Sequence, residues 1–137
     1  TDCHNNDSVS GPRGPHGSMN PYLLAKNYTT ADNTTESPWT YELCYSCHSR
    51  ASILADQSFK AHRRHIVNSR TPCSACHDAH GISYTQGNPV NNAHLINFDL
   101  SIVQPDNQGR LFYQKTGTSS GSCYLRCHNV PHSPKSY

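Results

Sequence analysis

A chain of 137 residues with a net charge of +2, histidine counted as neutral, carries no basic stripe of the kind that tracks phosphates, which argues against nucleic-acid binding. Only 34% of its residues are apolar, Tyr and Cys included, and the mean hydropathy is -0.76, so a core built from side chains alone is thin. No apolar run approaches the roughly 18 residues that a membrane-spanning helix needs.

In chain order, Thr1-Asp2-Cys3-His4 shows no signal-peptide character and reads as the end of a Cys-x-x-Cys-His motif whose first cysteine would precede Thr1. His16 follows in Gly11-Pro12-Arg13-Gly14-Pro15-His16-Gly17, a segment without core-forming residues, where a metal-ligand role would tie the loop down. Residues 27–37 form a polar surface loop, and Asn6, Asn27 and Asn33 each begin a short glycosylation-like pattern. Cys44-Tyr45-Ser46-Cys47-His48 is a complete motif. Residues 51–67 lack Gly and Pro and place apolar side chains at Ile53, Leu54, Phe59 and Ile66, which predicts a helix. His62 and His65, three apart, would then share a face, one as a ligand and the other facing solvent or binding a carboxylate beside Arg63 and Arg64.

The next motif, Cys73-Ser74-Ala75-Cys76-His77, is also complete, and His80 stands three residues beyond its histidine. His94 opens an apolar run. Residues 95–103 and 110–115 are rich in β-formers and flank Gln104-Pro105-Asp106-Asn107-Gln108-Gly109, which predicts a small hairpin. Cys123-Tyr124-Leu125-Arg126-Cys127-His128 is a motif with one extra residue in its loop, and His132 lies four residues on.

Cys-x-x-Cys followed by His is compatible with a redox dithiol, half a zinc site or the attachment point of a c-type haem. A disulfide framework gives no reason for a histidine behind every second cysteine. Zinc sites would leave too many of the ten histidines over, and a thioredoxin-like dithiol needs a βαβ context that is absent. Haem attachment uses all seven cysteines: two thiols add to the two vinyl groups and the adjacent histidine lies beneath the iron. Four covalent haems, and at least three, are therefore expected on Cys3, Cys44, Cys47, Cys73, Cys76, Cys123 and Cys127, with His4, His48, His77 and His128 as proximal ligands. His16, His62, His65, His80, His94 and His132 make up the distal supply, and Met19, the one methionine, allows at most one His/Met iron. His80 cannot swing round to the far face of the ring above His77, so it is expected on a different haem. A surplus histidine would serve a haem in a neighbouring chain or elsewhere in a longer protein.

The segments Thr71–Gly81, His94–Asp99 and Cys127–Tyr137 resemble outer-surface multihaem c-type cytochromes of metal-reducing bacteria. Departures are the incomplete first motif and the longer loop of the last. The resemblance implies one tetrahaem cytochrome c domain over residues 1–137, mostly irregular and organised by its haems, with a few short α-helices and one small β-hairpin. It implies electron transfer through closely packed bis-histidine haems to redox partner proteins or an external acceptor, at the outer cell surface or outside the cell, with the periplasm as alternative. Some members of that broad group form extracellular filaments in which one subunit gives a distal histidine to the next. The alternative activity is a multihaem reductase with one open iron. Four ferric haems with ionised propionates would turn the formal +2 into about −2, and Arg13, Arg50, Arg63, Arg64 and Arg70 are candidate propionate partners.

Overall fold

The computed structural model describes residues 2–11, 14 and 16–137; Arg13 lies outside them. Before residue 101 the described residues form turns and short helical pieces: a 3-10 turn at Pro21–Leu23, α1 (Glu42–Tyr45), α2 (Arg50–Leu54), a π-helical turn at Arg64–Asn68 and a 3-10 turn at Cys73–Ala75. Ser49 caps α2 by accepting the Ser52 N–H.

The helix expected over residues 51–67 is broken. Asp56 adopts a left-handed conformation, φ 58°, and its carboxylate accepts the Arg63 N–H at 2.7 Å, so this short polar side chain ends one helical piece and starts the next. The break turns His62 and His65 toward different partners.

The C-terminal third is a four-stranded antiparallel sheet of β1 (Val103–Gln104), β2 (Phe112–Gly117), β3 (Ser120–Cys127) and β4 (Val130–Ser136). β3 is central: β4 pairs along one edge, while β2 and β1 share the other, β2 against residues 120–124 and β1 against residues 126–127. The expected hairpin of residues 95–103 with residues 110–115 is therefore replaced by a larger sheet with different pairing. The Asp99 carboxylate accepts the Ser101 N–H and Oγ–H, and the Asp99 carbonyl accepts the Ile102 and Val103 N–H, so a turn consumes most of the first strand. β3 and β4 are joined by His128 and Asn129 alone, at φ 47° and 62°, the positive pair of a type I′ hairpin turn.

The central core cluster is Ala75, Val103 and Leu125, with Cys76, Phe98, Ile102, Leu111, Cys123 and Cys127 packed around it. Tyr22, Trp39, Tyr84, Leu95 and Leu100 stay largely exposed. The accessible surface is 8555 Å², against about 7100 Å² for a compact folded chain of this mass. The side chains do not close a core by themselves. No helix among the described residues is long and apolar enough to cross a membrane.

Candidate functional site

The two complete motifs fold alike. Cys47 and His48 donate their N–H groups to the Cys44 carbonyl at 3.2 and 2.9 Å, and Cys76 and His77 donate to the Cys73 carbonyl at 3.3 and 2.9 Å. Each motif is thus one helical turn that holds its two thiols and its histidine close together. The first cysteines of the two turns meet: a hydrogen bond between the thiols raises the pKa of Cys73 and lowers that of Cys44.

A second arrangement occurs twice, around His4 and around His77. His4 bridges to Leu24, the Cys3 carbonyl accepts the Ala25 N–H and Asn5 donates to Leu23. His77 likewise bridges to Ile96, the Cys76 carbonyl accepts the Asn97 N–H and Asp78 donates to Leu95. Asn20-Pro21-Tyr22-Leu23-Leu24 thereby matches Asn92-Ala93-His94-Leu95-Ile96, with positive φ at Tyr22 and Leu23 in one and at His94 and Leu95 in the other. The repeated backbone aims a carbonyl at each imidazole: His4 Nδ1 lies 2.9 Å from the Tyr22 oxygen and His77 Nδ1 2.9 Å from the His94 oxygen. A carbonyl only accepts, so Nδ1 carries the proton and Nε2 keeps the lone pair that binds metal. Sequence reasoning missed this repeat; the shared Asn-x-x-Leu pattern was its signal.

Three pairs of imidazoles lie at nearly equal separation. Ring centroids are 6.2 Å apart for His4 and His80, 6.3 Å for His62 and His77, and 6.4 Å for His65 and His132, with planes at 13°, 46° and 35°. A metal takes an imidazole nitrogen at about 2.0 Å, and that nitrogen lies about 1.1 Å from its ring centre, so two imidazoles on opposite sides of one metal have centroids about 6 Å apart. The three separations are close to that distance, and between His65 and His132 the Tyr137 hydroxyl stands within reach of both Nε2 atoms. Burial lowers His62 to about 4, with His77 and His65 adding repulsion; burial likewise lowers His65, His77 and His132. These four imidazoles are neutral near pH 7, the form that ligates.

The longer motif does not fold like the other two. Cys123 and Cys127 sit on β3, where four residues advance about 13 Å, against about 5 Å across one helical turn. His128 occupies the β3–β4 turn, its Nε2 2.9 and 3.0 Å from the two carboxylate oxygens of Asp32.

His48 and His94 are exposed, as are His16 and Met19; among the described residues none of His16, His48 and His94 forms a ring pair of the kind above, although His48 and His94 lie near enough to His77 to act on it electrostatically. The Arg50 guanidinium is already engaged by both Glu36 oxygens, at 2.8 and 2.6 Å. His77 and His80 line one cleft of about 320 Å³ with Tyr28, Ser74, Asp78 and Phe98. Among the described residues Tyr41 Oη and Thr71 Oγ1 are buried without a hydrogen-bond partner, and Tyr41 lies near Cys44 and Cys73. Buried hydroxyls of this kind are normally satisfied, and a carboxylate of a bound group would satisfy them.

Burial raises Cys76 and Cys123 to about 12 and raises Cys127. Such thiols are protonated at neutral pH and lack the thiolate character of a redox dithiol. No group of three or more His, Cys, Asp or Glu side chains that could hold a metal ion occurs among the described residues. Compared with known proteins, the chain matches no family model, no curated protein and no solved structure.

Proposed function

We propose that the chain is a multihaem c-type cytochrome that conducts electrons through bis-histidine haems, outside the cytoplasm and between a redox partner and an external acceptor. The observation that carries this reading is the pairing of motif histidines with histidines remote in sequence, His4 with His80 and His77 with His62, at the separation of two axial ligands. The duplicated turns of residues 44–48 and 73–77, the excess accessible surface and the orphaned hydroxyls support it.

Haem supplies an iron that exchanges one electron between its ferric and ferrous states. The chain's own part is to hold and tune it. Cysteines of the motifs would anchor the rings; the Tyr22 and His94 carbonyls fix the tautomers of His4 and His77; and imidazoles such as His62 and His77, kept neutral by burial, would hold the iron and leave a substrate no access to it. The contact of Cys44 with Cys73 draws two anchoring sites together, which favours electron passage between them.

One observation favours a second arrangement at one site. Among the described residues His48 forms no ring pair with another imidazole, and His16 and His94 stand exposed, which fits a distal ligand exchanged between copies in a filament; an open iron there would instead suit a reductase. Visible spectra of the purified protein with and without carbon monoxide distinguish them. Conduction predicts low-spin spectra that carbon monoxide leaves unchanged, whereas a haem converted by carbon monoxide in the assembled protein refutes the fully bis-histidine reading.

A further inference from the structure

We infer that the left-handed dipeptides Tyr22-Leu23 and His94-Leu95 are positioning devices that make the haems proposed at Cys3 and Cys76 the low-potential pair of the chain. This rests on the proposed function and deepens it, because it gives an order in which the irons fill with electrons.

Tyr22, Leu23, His94 and Leu95 have φ of 61°, 54°, 63° and 60°, a region that bulky side chains avoid and that Gly, Asn or Asp would occupy at less cost. Such conformations persist where the surrounding structure imposes them, and they cluster at functional positions. Here the same two-residue segment occurs twice in the same setting. Tyr22 stands 18 residues beyond His4, and His94 stands 17 beyond His77. Each dipeptide is flanked by the same three backbone contacts: a bridge from the motif histidine, a bond to the cysteine carbonyl before it and a bond from the N–H after it.

The conformation directs one carbonyl. The Tyr22 oxygen lies 2.9 Å from His4 Nδ1, and the His94 oxygen 2.9 Å from His77 Nδ1. A carbonyl that accepts from Nδ1–H leaves Nε2 more electron-rich and the imidazole a more basic ligand. A more basic ligand favours ferric over ferrous iron, so the reduction potential falls. Only the iron changes charge in this one-electron step; the Nδ1 proton stays on the ring in both states.

The other motif histidines lack the device. Among the described residues no backbone carbonyl accepts from the imidazole of His48 or of His128, and His128 meets Asp32 through Nε2 rather than Nδ1. The two equipped sites are also joined by one short segment. His80 lies three residues beyond His77, and its ring stacks on His4 at 13°. Two neighbouring irons of matched potential exchange an electron without an uphill step.

The test is a potentiometric titration of the haem-loaded chain, followed by visible absorbance, with Leu95→Pro and Leu95→Gly beside the parent. Leu95 donates no backbone hydrogen bond among the described residues, so proline removes none. It forces φ from 60° to about −65° and turns the His94 carbonyl away. Leu95→Pro is expected to raise the potential of one haem while the spectrum stays low-spin. Leu95→Gly keeps the left-handed conformation without strain and is expected to leave every potential unchanged. Parental potentials in a loaded, low-spin Leu95→Pro chain overturn the inference, and so does an equal rise in Leu95→Gly, which would trace the effect to the lost leucine. Because Leu95→Pro could fail to fold, the parent chain provides a second measurement, proton exchange in the ferrous state by nuclear magnetic resonance. The Nδ1 protons of His4 and His77, assigned through their neighbours Leu24 and Ile96, are expected to exchange with deuterium more slowly than that of His48. Exchange at one common rate overturns the inference equally. Failure of the proposed function is recognised separately, because the parent chain would then carry no haem.

Discussion

Asp106 shows how single residues replace a missing core. Its side chain is fully buried, and burial alone would raise its pKa; hydrogen bonds from Arg110, the Gln108 and Arg110 N–H groups and Ser133 Oγ reverse this and hold the carboxyl well below the usual range. It ties the β1–β2 loop to β4. A carboxyl with a depressed folded pKa contributes stability above its unfolded value of about 3.9, and that contribution disappears as pH falls through the folded value. Asp106→Asn is therefore expected to lower the melting temperature at pH 7, with the gap to the parent chain closing as pH drops below about 4. Thermal melts followed by circular dichroism at both pH values check this. An equal gap at pH 7 and pH 3 would show that the charge of Asp106 plays no part.

Among the elements, the β2–β3 pair depends on one close approach. A Cβ at Gly121 would stand 2.2 Å from Tyr113 Cε2, and Tyr113 is buried, donates to the Ser120 carbonyl at 3.2 Å and meets Phe59 edge-on. Phe59 also contacts His62 and Tyr137, so this ring connects the helical turn bearing the paired histidines to the sheet. Gly121→Ala should cost about 1–3 kcal/mol through displacement of the Tyr113 ring, measured by denaturant unfolding, and an unchanged midpoint would show that the ring moves freely. At this scale the sequence was readable only in part. The helical turns at Cys44 and Cys73 follow from local spacing. The strand at residues 120–127 was concealed by its cysteines, although Cys123, Leu125 and Cys127 alternate toward one face and His128-Asn129 suits a hairpin turn. Asp56 and Asp99 broke expected elements because their carboxylates cap local turns, an effect that the apolar pattern of residues 51–67 and 95–103 does not register. The partners of His62, His65 and His80 depend on contacts across the chain, and spacing alone could not name them.

For the whole molecule, the governing fact is a shortage of apolar matter. The chain exposes 8555 Å², about a fifth more than a compact chain of its size, and leaves large side chains such as Trp39 at the surface. Its buried histidines are nonetheless paired, neutral and equally spaced. The proposed covalent porphyrins would account for both, since their rings would supply the missing apolar surface and their irons would explain the pairs. The most direct measurement is the intact mass of the purified protein under denaturing conditions. The account predicts the mass of the polypeptide plus four haems, or three if the Cys3 site is empty. The mass of the bare polypeptide, from cells competent in c-type haem attachment, would contradict it.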